Sequence, residues 1–148
     1  FDDLSLAERE QVFEFIRLAN VVLQPFQCAA EVKKFEPIDL PALYTTNEEG
    51  LFLRTAEHTQ EKSNALFASI IQQMTSQQFH SALAKLCFNF DNPLIQKAIR
   101  SRNPELNRLI IELLYVQSLL LGHYPLKKQE LELMNQGLIR LIERELDR

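Results

Sequence analysis

The segment 104–148 constrains the fold most, because it predicts two consecutive helices that carry more apolar surface than one neighbour can cover. Asn103-Pro104 is typical of an N-cap followed by proline at the first helical position, and Gly122 with Pro125 beyond it predicts the helix end. The main apolar face of this helix is expected to hold Leu106, Leu109, Ile110, Leu113, Leu114, Val116, Leu120 and Leu121. The opposite side is expected to hold Ile111, Tyr115 and Leu119. A helix that is apolar on nearly all sides needs neighbours on more than one side.

The last helix, predicted from about 126 to 146, has a broad apolar stripe of its own. The stripe and its shoulder comprise Leu131, Met134, Leu138, Leu141, Ile142, Ile139 and Leu146. A small sheet would cover one side of the helical pair, and a second copy of the same hairpin is the simplest cover for the other. Ordinary packing within the chain is the alternative, and periodicity does not separate the two. Gly137 either permits a close helix crossing or marks a kink.

A helix with a clear start is predicted near the amino terminus. Ser5 and Glu8 have the spacing of a capping box, in which each side chain accepts the backbone N–H of the other residue. Pro25 is expected to end the helix. Its apolar stripe is predicted to hold Val12, Ile16, Ala19 and Leu23, with Phe15 and Val22 at the edge.

Two short strands are predicted next. Alternation over 28–33, with Cys28, Ala30 and Val32 on one side, predicts a half-buried strand that ends or bulges near Lys34. A second strand is predicted over 42–46, after a turn that Pro37 and Pro41 bracket.

The middle of the chain predicts a long helix, a third strand and a short helix. The helix is expected over about 49–75, and residues 54–64 within it are polar on all sides. Alternation predicts the strand over 83–90, and Asn92-Pro93 opens a helix of about eight residues. The fold class is therefore α+β, with a sheet of about three strands and a closing helical hairpin. One domain is predicted over 1–148, with an α/β part over 1–103 and, over 104–148, the two helices that are expected to dimerise if a second copy covers them.

The sequence offers no constellation that supports catalysis. It lacks phosphate-binding glycine loops, nucleophile-elbow motifs and zinc-protease motifs, so we expect no catalytic, cofactor-binding or metal-binding residue. His58, His80 and His123 are isolated, without a second ligand at helical spacing. Cys28 and Cys87 are interpreted as two buried reduced thiols, with a disulfide as the alternative.

Charge and hydropathy limit the partners. The net charge is −4 and the basic residues are scattered, which disfavours nucleic acid as a partner. No apolar run approaches the roughly 20 residues of a membrane span, and a reducing cytoplasm fits the cysteine usage best. The chain begins at Phe1 rather than at methionine, which favours a piece of a longer protein.

One further stretch is a candidate for binding. Leu66, Phe67, Ile70, Ile71 and Met74 share a helix face that either packs on the sheet or, with Leu51, Phe52 and Leu53, forms an adaptable partner-binding surface.

Three stretches, in this order, resemble the carboxy-terminal domain of the heat-shock protein 90 chaperone family, and its divergent bacterial branch in particular. Residues 35–44 read FEPIDLPALY, residues 86–96 read LCFNFDNPLIQ, and residues 112–122 read ELLYVQSLLLG. Residues 134–136 also look like part of the family's last helix. The similarity spans nearly the whole chain, from Ser5 to Leu146.

The resemblance implies a homodimer, a role in protein folding and stress response, and no nucleotide site in this segment. The family's last two helices form a four-helix bundle across a two-fold axis. The interface would then comprise Leu106, Leu109, Ile110, Leu113, Gln117, Leu120, Leu131, Met134, Leu138, Leu141 and Ile142. ATP and Mg²⁺ would bind an amino-terminal domain of the full-length parent. Because the chain ends ELDR, docking of co-chaperones through an acidic tail is not expected.

The resemblance also implies contact with unfolded or partly folded client proteins. The residues that would make this contact are Leu51, Phe52, Leu53, Phe67 and Met74. The alternative function is a stand-alone helical adaptor that binds a different protein and has no chaperone role.

Overall fold

A three-stranded mixed sheet organises the chain. The computed structural model describes residues 1–47, 51, 52, 54, 55 and 84–148. Within it, β1 (Cys28–Lys33) pairs in parallel with β3 (Ala84–Asn89), and β2 (Ala42–Thr46) pairs antiparallel with β3. The strand order is therefore β1-β3-β2, with β3 in the centre. The predicted α+β class and the three strands are confirmed.

The core lies on one face of this sheet. The alternating side chains Leu86 and Phe88 of β3 point into it and are fully buried, as the period-two pattern predicts. Lys34, just beyond β1, forms an isolated bridge with Asp2, so the strand ends where its alternation breaks. The third strand ends at Asn89, one residue earlier than predicted, and its predicted first residue, Leu83, lies outside the described residues.

Helix α1 (Leu6–Leu23) packs on β1 and starts at the predicted capping box. The Ser5 hydroxyl accepts the Glu8 N–H at 3.2 Å, and the Glu8 carboxylate accepts the Ser5 N–H at 2.9 Å. Pro25 follows in a 3₁₀ turn (Gln24–Phe26). The buried residues of α1 only partly match the predicted apolar stripe. Its buried members are Val12, Phe15, Ala19, Val22 and Leu23, while Ile16 is only half-buried.

Two asparagines start the next two helices as predicted. The side chain of Asn92 caps α2 (Pro93–Arg100), and that of Asn103 caps α3 (Pro104–Leu121) by accepting the Leu106 N–H at 3.2 Å. The last helix, α4 (Lys128–Leu146), begins two residues later than expected. In both capped helices the proline that follows the asparagine occupies a position whose N–H would have no helical partner.

The end of α3 lies at Gly122, but for a different reason from the one predicted. Gly122 has φ −86°, and the left-handed residue is His123, with φ 59°. A Cβ at Gly122 would lie 2.6 Å from the Tyr124 ring. Close approach of the ring, and not a left-handed backbone, therefore requires glycine there.

The loop between β1 and β2 is held by two buried asparagine side chains. The Asn89 amide nitrogen donates to the carbonyls of Phe35 (2.9 Å) and Leu40 (3.1 Å), with a longer contact to Pro37 (3.4 Å). The amide nitrogen of Asn92 donates to the Ile38 carbonyl at 2.9 Å. Main-chain groups that no strand pairs are satisfied in this way.

The predicted long helix over 49–75 falls mostly outside the described residues. Positions 51, 52, 54 and 55 are helical, and the Leu51 N–H donates to the carbonyl of Asn47, the residue that follows β2, at 3.0 Å. Within the described ranges, no helix combines the length and hydropathy needed to cross a membrane.

Candidate protein-interaction surface

The side of α3 that was predicted to lie opposite its main apolar face is fully buried. Ile111, Tyr115 and Leu119 have no exposed surface and pack in the core under α1 and the sheet. Leu120 and Leu121, which the sequence placed on the main apolar face, are 48% and 58% exposed. Leu109, Leu114 and Val116 of the predicted main face are buried as well, so the main face is covered in part and its exposed members include Leu120 and Leu121.

Helix α4 crosses α3 at Gly137. A Cβ built on Gly137 would lie 2.9 Å from Leu113 Cδ2 and 3.5 Å from Leu109 Cδ1, so the two helices meet where this residue has no side chain. Helix α4 continues on both sides of the glycine. Of the two roles that the sequence left open, the structure supports the close crossing.

The described part of the chain leaves most of the apolar side chains of α4 exposed. In this helix Glu130 and Gly137 are the buried residues. The exposed large apolar side chains are Leu131 (46%), Leu138 (44%), Ile139 (47%), Leu141 (40%), Ile142 (57%) and Leu146 (77%). Single exposed leucines are normal, but a group of this size on one helix is typical of a contact surface. We call these side chains, with Leu120 and Leu121, the hairpin surface.

The residues predicted for the dimer interface fall into two sets. Leu109 is 5% exposed, so α4 already covers most of it, and Leu106, Ile110, Leu113 and Met134 are half-buried. Gln117, Leu120, Leu131, Leu138, Leu141 and Ile142 are exposed. The second set has the surface that an interface needs, and the interface itself stays a prediction.

The turn after β2 carries two of the predicted client-contact residues. Leu51 is 42% exposed and Phe52 is 56% exposed. The side chain of Leu53 and all of 56–83, including Phe67 and Met74, lie outside the described residues.

Arg54, in the same turn, is buried and was not predicted as a site residue. Its guanidinium forms a bidentate ion pair with Glu130, with Nη1 2.6 Å from Oε1 and Nη2 2.8 Å from Oε2. Nη1 also donates to the Pro125 carbonyl (3.0 Å), Nη2 to the Tyr115 hydroxyl (3.0 Å) and Nε to the Tyr44 hydroxyl (3.3 Å). All five N–H donors of the guanidinium therefore have acceptors.

Glu130 is the third residue of α4 and is equally well bonded. Oε1 accepts the Lys127 N–H at 3.0 Å in addition to the arginine, and Oε2 accepts the Tyr115 hydroxyl. Burial alone would raise the pKa of Glu130, but the hydrogen bonds and charge of Arg54 outweigh it and hold this pKa below its usual value. The Glu130 side chain is thus a buried, ionised carboxylate at the base of the hairpin.

Aromatic rings enclose the ion pair. The Arg54 guanidinium carbon lies 5.3 Å from the centre of the Tyr44 ring, which contacts the Tyr115 and Tyr124 rings at centroid distances of 6.1 and 4.8 Å. Burial and the neighbouring Glu130 raise the pKa of Tyr115. The cluster of Arg54, Glu130, Tyr115 and Tyr44 connects β2, the turn after it, and both helices of the hairpin. We call it the arginine cluster.

The other titratable groups that the structure describes give no second site. Cys28 and Cys87 are free and buried, in agreement with the reduced-thiol interpretation, and burial raises their thiol pKa values to about 12 and about 11. His123 is exposed in the hairpin loop, whereas His58 and His80 lie outside the described residues. Among the residues that the structure describes, no three His, Cys, Asp or Glu side chains are grouped to hold a metal ion.

The comparisons with known proteins identify no relative: the chain matches no family model and no curated protein.

Proposed function

We propose that this chain is the carboxy-terminal homodimerisation module of an ATP-dependent heat-shock protein 90-type chaperone that assists protein folding. One observation supports this most: the hairpin surface is a set of large apolar side chains on two helices that the described part of the chain leaves uncovered. The resemblance of residues 35–44, 86–96 and 112–122 supports the family. ATP and Mg²⁺ would then act in another domain of the parent, and clients rather than nucleic acid or membrane would be its targets.

The geometry of the hairpin favours a second copy as its occupant. Helix α3 has 18 residues and α4 has 19, so each is roughly 27–29 Å long at 1.5 Å per residue. Two such hairpins crossing would bury on the order of 2,000 Å², the range of obligate dimers. A two-fold contact places the same apolar surface on both partners, which needs no second protein.

The turn with Leu51 and Phe52 supports client contact. Exposed aromatic and aliphatic side chains on a helical turn suit binding to irregular apolar segments. The free thiols of Cys28 and Cys87 support a cytoplasmic location, where thiols stay reduced.

The test of the dimer is a pair of charge substitutions in the hairpin surface. The Leu138→Glu, Leu141→Glu variant would place carboxylates without partners in the interface, at a cost of roughly several kcal/mol. Light scattering is expected to give about 34 kDa for the natural sequence, twice the 17.2 kDa of one chain, and about 17 kDa for the variant.

The matched control is Phe13→Glu, Val21→Glu. These two side chains of α1 are 63% and 59% exposed, at least as much as the pair on α4, and lie outside the proposed interface. The control is expected to remain a dimer at the same concentration. A natural sequence that is monomeric at tens of micromolar would remove the dimer proposal and leave the adaptor function, in which the same surface binds a different protein.

A further inference from the structure

The arginine cluster joins two surfaces that are separate in sequence. Arg54 lies two positions after the exposed Phe52, and its carboxylate partner Glu130 opens the helix that carries most of the hairpin surface. The arginine side chain is 4% exposed and that of Glu130 is fully buried. Hydrogen bonds from one guanidinium therefore reach a strand, a loop carbonyl and both helices of the hairpin.

We infer that Arg54 is a positioning residue, which fixes the turn carrying Leu51 and Phe52 in one orientation relative to α4. The inference concerns a single chain and goes beyond the proposed function, since it holds whether the hairpin surface meets a second copy or another protein.

The chemistry of the guanidinium supports this role over simple stabilisation. A buried ion pair gains little over apolar side chains of equal volume, because both ions lose their hydration. The pair instead fixes the relative orientation of the two side chains, since a planar guanidinium forms a bidentate contact with a carboxylate in one geometry. Lysine would keep the charge but lose the bidentate contact, and a methionine pair would keep the volume but lose the direction.

The acceptors of the Arg54 guanidinium lie where they can fix the orientation of the turn relative to α4. Glu130 accepts the Lys127 N–H at the first turn of α4 while it binds Arg54. The same carboxylate therefore caps the start of the helix and bonds to the turn that carries Arg54. Pro125 offers its carbonyl from the loop between the helices. The turn is thereby bonded to the part of the hairpin that sets the direction of α4.

A spin-label distance measurement tests the inference. Nitroxide labels are attached to Phe52→Cys and Glu132→Cys, both exposed positions, while Cys28 and Cys87 stay unlabelled because they are buried. Labelled chains are diluted with excess unlabelled protein so that only the distance within one chain is recorded. The natural cluster is expected to give one narrow distance distribution.

The decisive variant is Arg54→Met, Glu130→Met, which removes both charges together and leaves no lone buried ion. The distribution is expected to widen roughly two-fold at a temperature where the variant is still folded, because the turn loses its directional bonds but keeps its apolar packing. The thermal unfolding midpoint is expected to fall as well, since the Tyr44 hydroxyl, the Pro125 carbonyl and the Lys127 N–H lose partners. The matched control removes the exposed ion pair of α1, Arg17→Met, Glu14→Met, and is expected to leave the distribution unchanged.

A distribution of unchanged width in the folded methionine pair would overturn the inference, since the turn would then be positioned by packing alone. If that variant does not fold, Arg54→Lys decides by the same measurement: a wider distribution supports the inference and a natural width overturns it.

Discussion

Two glutamates occupy the third position of two different helices, one partly exposed to solvent and the other fully buried. Glu8 is the third residue of α1 and Glu130 is the third residue of α4. Each accepts the backbone N–H of the residue before its helix, and each binds one cation, Lys34 at 2.8 Å and Arg54 at 2.6 Å. Glu8 and Lys34 keep part of their side chains in water, whereas Glu130 and Arg54 are enclosed.

The difference lies in what else the carboxylate connects. Glu8 completes a local capping box with Ser5 and adds one surface ion pair. Glu130 performs the same local task, but its second oxygen, Oε2, accepts from Arg54 and Tyr115, which lie in elements far away along the chain. One backbone device, a glutamate at the start of a helix, is therefore a local start signal in one case and a tertiary anchor in the other.

The largest expected effect separates the two glutamates by stability. Glu130→Gln would leave the Arg54 guanidinium buried beside a neutral amide, and we expect a loss of about 3 kcal/mol in the free energy of unfolding. Glu8→Gln keeps the capping hydrogen bond and loses only a solvent-screened pair, so its effect should be much smaller. Urea unfolding of both variants measures this; equal losses would contradict the comparison.

Acid should reveal a smaller, pH-dependent part of the same difference. Burial alone would raise the pKa of Glu130, but the hydrogen bonds and charge of Arg54, together with hydrogen bonds from the Tyr115 hydroxyl and the Lys127 N–H, hold the folded-state pKa below its ordinary value of 4.5. A lowered pKa contributes stability that is present above pH 4.5 and is lost as pH falls through the folded-state value.

Glu130→Gln should accordingly flatten the loss of stability below pH 4.5, as followed by the urea midpoint at each pH. The pKa of Glu8 is lowered too, by hydrogen bonds from Lys34 and the Ser5 backbone. Salt distinguishes the two, because 1 M NaCl, with a screening length of about 3 Å, weakens the exposed pair far more than the buried one. An acid slope that survives unchanged in Glu130→Gln would contradict this assignment.

The smallest expected effect concerns the helix start itself. Ser5→Ala removes the side chain that accepts the Glu8 N–H, and we expect a loss of about 1 kcal/mol in the free energy of unfolding. The matched variant is Ser5→Asp, which keeps an acceptor at the same position and should restore the stability that Ser5→Ala loses. Equal unfolding midpoints for the alanine and aspartate variants would argue against a role for this cap.

Local signals in the sequence predicted much of the fold. The capping pair of Ser5 and Glu8 and the Asn-Pro pairs at 92–93 and 103–104 act through contacts within three residues, so the sequence alone contains the whole interaction. Alternation predicted β1 to the residue, and the turn between Pro37 and Pro41 correctly indicated where β2 follows. Helix faces were less secure: Tyr115 and Leu120 are both apolar, and only the position of the sheet decides which is buried.

Arg54 could not be predicted because its partners are distant in sequence. It lies in a polar stretch that reads as a solvated helix, and its carboxylate partner follows 76 positions later. The one signal available was Glu130 itself, three residues after Lys127 at a helix start, which lacks the serine or threonine of a typical capping box. Asn89 was missed in the same way, since its partners depend on the path of a loop.

The Asn89 contacts have a consequence for tolerance to mutation. Asn89 and Asn92 recognise the loop through its carbonyl oxygens, which every amino acid supplies, and not through its side chains. The side chains of Glu36, Ile38 and Asp39 point into solvent. The loop can therefore exchange these residues, and with them its surface chemistry, while its path is preserved, whereas the two asparagines beneath it have no such freedom.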